Sequence, residues 1–367
     1  MSSVSRRALR ALLAAVGLIA AMAVLAACGE TKDEQPSGGS NASQESTPAE
    51  GSGEANPEAP LKTGLNTVSI PKQLGNPYEE FEHSGVDEGM KELGGANKIT
   101  GPTDASASSQ ISFINAAVQQ KADAIIIAGN DPNAIAPALK QAAQRGTKVV
   151  SMDSDVAPDA RSVFVNQVTT QLVGENQVES IGKQIGYKGE IAILSATANA
   201  TNQNAWIDVM KETLKQDKYK DMKLVKTAYG DDDDQKSFQE MQGLIQAYPD
   251  LKGVISPTTV GVAAAARYLS SSPQKGKVKL TGLGFPNQMR KFVEDGTVDE
   301  FQLWVPKDVG YLAAQAAVAL ASGRITGKEG EKFTAGRLGD YTIGANGEIV
   351  LGPLTTFNKE NIAEYDF

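Results

Sequence analysis

The chain has 367 residues, 41% of them hydrophobic, and sets 35 lysines and arginines against 44 aspartates and glutamates for a formal charge of -9. That size leaves room for one large domain or two medium ones with full cores, and the acidic balance excludes an extended basic face for nucleic acid. A single cysteine, Cys28, and a single histidine, His83, leave little from which to build a disulfide framework, a Cys/His zinc site or a Ser-His-Asp or Cys-His catalytic set.

Residues 1–27 carry Arg6, Arg7 and Arg10 and no acidic residue, with an apolar run from Ala11 to Ala27. This is the order of charged and hydrophobic regions in an export signal, so the segment is left out of the fold. The run ends in Leu25-Ala26-Ala27-Cys28-Gly29, which resembles the lipobox of bacterial lipoproteins. The resemblance implies cleavage before Cys28, diacylation of its thiol and attachment of the exported protein to the cell membrane, because two acyl chains make a stable anchor. Loss of the three arginines takes the formal charge from -9 to -12. Residues 28–64 are rich in Gly, Ser, Pro and Glu, with Leu61 as the one large apolar side chain, and are expected to form a disordered linker. A coil of that length spans on the order of 30 Å.

From Leu65 the pattern alternates strand and helix. Asn66–Ile70 is a short buried-strand pattern, Phe81–Leu93 and Ser109–Gln120 are helical, and Ala124-Ile125-Ile126-Ile127-Ala128 is the uninterrupted apolar run of a parallel strand covered on both faces. Asn130 or Asp131 caps the next helix, Pro132 fits its first turn and Gly146 closes it before strand Lys148–Met152. A second series follows strand Val163–Asn166: helix Leu172–Ile185, strand Glu190–Leu194, helix Gln203–Gln216, strand Leu224–Ala228, helix Gln235–Ala247, strand Gly253–Ser256, helix Val260–Ser270 and strand Val278–Gly282. Two such series imply an α/β protein of two lobes, each a parallel sheet flanked by helices.

Ligands of open α/β sheets sit beyond the carboxyl ends of the strands. Those ends carry Pro71-Lys72-Gln73-Leu74-Gly75-Asn76-Pro77-Tyr78, Asn130-Asp131, Asp153-Ser154-Asp155, Asn202-Gln203-Asn204, Pro257-Thr258-Thr259 and Gly284-Phe285-Pro286-Asn287. Amides, hydroxyls and carboxylates with one amine suit a neutral polyol rather than a phosphate. Asp153 and Asp155 alternate past a buried strand, so one faces the cleft, and Asp153 is the expected one. The run Asp231–Asp234 lacks the ligand spacing of a calcium loop and reads as an exposed acidic turn. A sugar hydrolase would need paired carboxylates from opposite lobes, and Asn202 and Thr259 supply none.

These landmarks, with Met152-Asp153-Ser154-Asp155, Ser256-Pro257-Thr258-Thr259-Val260-Gly261, Pro286-Asn287-Gln288-Met289-Arg290 and Phe357-Asn358-Lys359-Glu360-Asn361, make Thr67 to Phe367 resemble the substrate-binding lipoproteins of bacterial sugar ABC transporters. The fold so implied is the two-lobed type I periplasmic-binding-protein fold with a hinge. Residues 65–166 and about 303–330 are assigned to the first lobe, and 167–302 and about 331–367 to the second. Two subgroups are similar, the rhamnose-binding and the autoinducer-2-binding proteins. In the latter the contacts correspond to Lys72, Asp153, Gln203 and Pro257, while Asn202 replaces an aspartate and Thr259 an alanine. The stretch Pro257–Gly261 resembles the rhamnose-binding members, and Trp304 falls where the family sets a ring against its ligand.

The resemblance therefore implies a monomeric receptor closing on a monosaccharide, best L-rhamnose, with permease and ATPase subunits as partners and no catalytic residue, cofactor or metal. The alternatives are an autoinducer-2 receptor of the same fold and an exported sugar-acting enzyme. The expected ligand contacts are Lys72, Asn76, Tyr78, Asp131, Asp153, Asn202, Gln203, Pro257, Thr258, Thr259, Phe285 and Trp304.

Overall fold

The computed structural model of the chain describes residues 53–367, so the export signal, Cys28 and most of the expected linker lie outside the described residues. The first series alternates as β1 (Asn66–Ile70), α1 (Pro77–Glu92), β2 (Ala96–Ile99), α2 (Ala107–Gln119), β3 (Ala124–Ile127), α3 (Pro132–Gln144), β4 (Lys148–Met152) and β5 (Val163–Asn166). The second runs through α4 (Thr170–Ile185), β6 (Gly189–Ser195), α5 (Thr201–Thr213), β7 (Met222–Tyr229), α6 (Asp234–Ala247), β8 (Leu251–Ser256), α7 (Thr259–Ser270), β9 (Lys279–Gly282), α8 (Pro286–Glu294) and β10 (Glu300–Leu303). The chain then continues through α9 (Pro306–Ser322), β11 (Lys332–Thr334), β12 (Asp340–Thr342), β13 (Glu348–Val350) and β14 (Thr355–Asn358).

The first sheet is parallel throughout, in the order β13-β5-β4-β3-β1-β2, and the second is parallel in the order β7-β6-β8-β9. A bridge from Leu283 to Gln302 carries β10 alongside the second sheet, where β14 pairs with it antiparallel. Burial on both faces accounts for the unbroken Ile run of β3: Ile125 and Ile127 pack under α2 and α3, while Ile126 faces the core shared with α1 and α9. Edge strand β2 escapes the apolar pattern because Ala96–Ile99 is largely exposed.

Among the described residues the chain crosses between the two sheets three times, after β5, between β10 and α9, and between β13 and β14. This corrects the expectation for residues 331–367. Strand β13 joins the first sheet against β5, where Asn166 Nδ2 donates to Glu348 Oε1 at 2.6 Å and Arg161 Nη1 to the Asn346 carbonyl at 2.7 Å, and the chain returns to the second lobe from β14 onward. The linker also ends earlier than residue 64. Asn56 N donates to the Gly323 carbonyl, Lys62 N to Ser322 Oγ and Arg324 Nε to the Ala59 carbonyl, so this segment is docked at the end of α9.

Helices α1 and α9 approach backbone to backbone. A Cβ on Gly85 would sit 1.8 Å from the Lys307 carbonyl oxygen, and one on Gly310 2.0 Å from that of Glu82. Both helices begin at the ligand cleft described below, so this contact fixes their relative height there. Gly310→Ala must push the helices apart and is expected to cost about 3 kcal/mol of unfolding free energy in urea denaturation; a loss under about 0.5 kcal/mol would contradict the close approach.

Candidate functional site

Asp153 stands immediately after β4 with φ at +57°, a left-handed conformation uncommon for a side-chain-bearing residue. The turn aims its carboxylate into the space between the lobes, where it is 3% exposed. Lys72 Nζ lies 3.0 Å from Oδ2, the Tyr78 hydroxyl 3.1 Å from Oδ1, Gln167 Nε2 donates to Oδ1 at 3.2 Å and Asn202 Nδ2 to Oδ2 at 3.2 Å. The last bond comes from α5, in the opposite lobe. Asp155, two residues on, turns away and pairs with Arg161 through two bonds of 2.6 and 2.7 Å.

The sequence places each partner by local means. Lys72 follows β1, its carbonyl held by Asn130 Nδ2 at 3.0 Å and its amide donating to Glu79 Oε2 at 3.2 Å. Asn76 caps α1 by accepting from the Tyr78 amide at 2.9 Å, and Pro77 takes the first helical position, so the helix starts four residues before Phe81 and sets Tyr78 at the cleft. Tyr78 oxygen in turn accepts from Trp304 Nε1 at 2.9 Å, just past the β10 crossover.

Fifteen residues line a cavity around Asp153: Lys72, Asn76, Tyr78, Glu79, Asp153, Asn202, Gln203, Trp206, Asp232, Pro257, Thr258, Thr259, Leu283, Leu303 and Trp304. Ten of the expected residues meet there. Asp131 does not: its carboxylate caps α3, accepting from Asn133 and Ala134 amides at 3.0 Å. Phe285 is also set back, buried behind Tyr78 at 6.1 Å between ring centroids and packed against Phe81 and Phe367. Gln203 Oε1 is taken by Ser195 Oγ at 2.7 Å and the Ala196 amide at 2.8 Å, which fixes the start of α5 on the end of β6.

Glu79, Trp206, Asp232, Leu283 and Leu303 are cavity residues that the sequence reading does not contain. Asp232 corrects two expectations at once. It belongs to the four-aspartate run read as an exposed turn, yet φ values of +54° and +51° at Asp231 and Asp232 turn its carboxylate inward, where Thr258 Oγ1 donates to it. It therefore supplies the carboxylate that the second lobe was expected to lack. Its neighbours behave as read: Asp233 caps α6 and Asp234 pairs with Arg267 at 2.7 Å. Trp206 packs on Trp304 with centroids 6.0 Å apart, and the two indoles together form one wall of the cavity.

A family model described as periplasmic binding protein domain matches residues 68–325. The chain belongs to the periplasmic binding protein family. It is a binding protein and not an enzyme. A sugar ABC transporter structure from Actinomyces odontolyticus is 53% identical, with 83% of this chain and 100% of that one covered at a TM-score of 0.69. A solute binding protein from Clostridium phytofermentas with bound L-rhamnose is 39% identical, with coverages of 82% and 98% and a TM-score of 0.80. LsrB from Clostridium saccharobutylicum in complex with AI-2 is 26% identical, with coverages of 83% and 100% and a TM-score of 0.77.

In this binding protein burial works to discharge Lys72, but the carboxylates of Asp153, Glu79 and Asp232 outweigh it and hold the ammonium charged, above the usual lysine range. Burial pushes Asp153 up, and repulsion from Glu79 adds to it, despite the opposing pull of Lys72. Burial likewise pushes Asp232 above the ordinary aspartate range, opposed by Lys72 and the Thr258 hydrogen bond. A carboxyl raised on folding keeps its proton in the native state after the unfolded chain has lost it, so unfolding free energy falls as pH rises from the ordinary range through the raised one. The ligand-free protein is expected to lose stability as pH rises above the ordinary carboxyl range, and Asp232→Asn to lose less over the same rise. Denaturant titrations at each pH measure this, and equal slopes for parent and variant would contradict it.

Proposed function

We propose that the protein is the extracytoplasmic sugar-capturing component of an ABC importer, tethered through lipidated Cys28, and that it closes on a neutral deoxyhexose, L-rhamnose. The observation that carries this reading is Asp153, a buried acceptor gripped by donors from both lobes in a cavity that the Trp206 and Trp304 indoles also line. A 6-deoxy sugar offers hydroxyls for such an acceptor and a methyl-bearing face for the ring wall, bounded here by Leu283 and Leu303. Identity of 39% to the L-rhamnose-bound protein points the same way, and Asn202 and Thr259 depart from the set implied for autoinducer-2.

The four protein donors already fill the lone-pair positions of the Asp153 carboxylate. A sugar therefore enters by replacing the Asn202 bond, the one made across the cleft, and its hydroxyls then join the lobes in place of it. Lys72, Asn76, Tyr78, Gln203, Pro257, Thr258 and Thr259 complete the proposed contacts. The lobes swing about the crossover segments, as in other hinged closures, and the closed form is what permease and ATPase subunits would receive.

Calorimetry with L-rhamnose, ribose and autoinducer-2 tests the ligand. Asp153→Ala is expected to weaken rhamnose binding by roughly ten- to a hundredfold, the worth of a charged hydrogen-bond partner in a closed cleft, and Trp304→Ala by about tenfold. If both variants bind rhamnose like the parent, the pocket is wrong; if the parent binds autoinducer-2 and ignores rhamnose, the ligand is wrong. For the tether, Cys28→Ser is expected to release the protein from the membrane fraction or leave its leader uncut, as read by fractionation and mass. Unchanged retention and processing would rule out lipidation at Cys28.

A further inference from the structure

Behind the cavity, one face of α1 carries Glu79, Glu82 and His83, at positions i, i+3 and i+4. All three side chains are buried, with exposures of 3%, 0% and 0%. One donor atom from each, a carboxylate oxygen from the glutamates and a ring nitrogen from the histidine, lies within 4.8 Å of the others, and His83 Nε2 is 3.7 Å from Glu79 Oε2. Neither ring nitrogen of His83 has a hydrogen-bond partner among the described residues, and neither has Glu82 Oε2. An imidazole and a carboxylate oxygen buried without partners are costly, since the interior offers nothing in exchange for lost water. Glu79, Glu82 and Asp153 crowd this end of α1 near Lys72, and burial together with that crowding pushes the Glu82 carboxyl well above the usual carboxylate range.

We propose that Glu79, Glu82 and His83 form a divalent-cation site in the first lobe, of the zinc-binding type, directly behind the ligand cavity. One imidazole and two carboxylates are a nitrogen-and-oxygen set suited to zinc, with the fourth tetrahedral position left to water. Bonds of 2.0–2.2 Å require donor atoms about 3.4 Å apart. The His83–Glu79 separation is within a few tenths of an ångström of that, and small side-chain rotations on one helix face bring in the third. Glu79 also lines the cavity, which gives the ion an entry path, and the Tyr78 hydroxyl oxygen, whose proton goes to Asp153, lies 3.4 Å from Glu82 Oε1 outside the coordination sphere. The site does not depend on which sugar the cleft takes.

The test uses the full chain carrying Cys28→Ser, so that its thiol does not compete, with no tag and no sugar. After equilibration with zinc chloride and desalting, elemental analysis is expected to find one zinc per chain. Cobalt(II) in its place should show the visible bands of a four-coordinate ion. His83 is the only histidine in the chain, so its imidazole gives one set of proton resonances, and these must move on zinc addition in the parent itself. His83→Gln and Glu82→Gln are each expected to weaken zinc binding at least about tenfold, with folding checked by circular dichroism. Unmoved His83 resonances, no retained zinc, or retention undiminished in both folded variants would overturn the site. None of these results bears on rhamnose binding, which is measured separately.

Discussion

The charge pair of Lys72 and Asp153 is the interaction around which the cleft is organised. A carboxylate this deeply buried is tolerated only if its attraction to a counter-ion and its hydrogen bonds offset the lost hydration, and removing one partner leaves the other stranded. Here the offset comes from four directions: Lys72 from the end of β1, Tyr78 from the first turn of α1, Gln167 from the crossover after β5, and Asn202 from α5. Three of these belong to the first lobe or its boundary and hold Asp153 in place. The fourth couples it to the other lobe. A single residue in a left-handed turn thereby makes the relative position of two sheets part of its own electrostatics.

That pair is supported by a continuous aromatic layer. Trp304 donates to Tyr78, Trp206 packs on Trp304, and Phe285, Phe81 and Phe367 stack behind. Phe367 is the last residue of the chain and Arg290 of α8 donates to the nearby Tyr365 carbonyl, so the C-terminal segment closes this layer from behind. The glycine-mediated approach of α1 and α9 sets the height of Tyr78 against Trp304, because each helix begins within a few residues of one of them. Packing far from the cavity thus decides a hydrogen bond inside it.

The same geometry separates binding from catalysis. Asp153 and Asp232 come from opposite lobes, as a pair of glycosidase carboxylates would, but Asp153 is saturated by its donors and Asp232 is bonded to Thr258. A carboxylate whose lone pairs are taken by fixed donors is not free to exchange protons with a leaving group. Family membership agrees with this electrostatic reading.

By itself the sequence determined the alternation of parallel strands and helices from Leu65 to Gly282, because burial on both sheet faces leaves apolar runs such as Ala124–Ala128 and because caps such as Asp131-Pro132 mark helix starts. It also located most of the cavity, since polar residues just beyond buried strands have few other uses; Lys72, Asp153, Asn202 and Thr258 were legible this way. Only the tertiary structure decided which of four adjacent aspartates faces inward, since the turn that selects Asp232 depends on backbone angles at two positions of an otherwise uniform run. It likewise drew in Trp206 and Glu79, whose helical spacing looks the same for core and cleft, turned Asp131 into a cap and Phe285 into a backing ring, and returned β13 to the first sheet. Local pattern records whether a side chain is buried; what it is buried against is set by contacts between residues hundreds of positions apart, such as Tyr78 and Trp304, and no window of the sequence contains both.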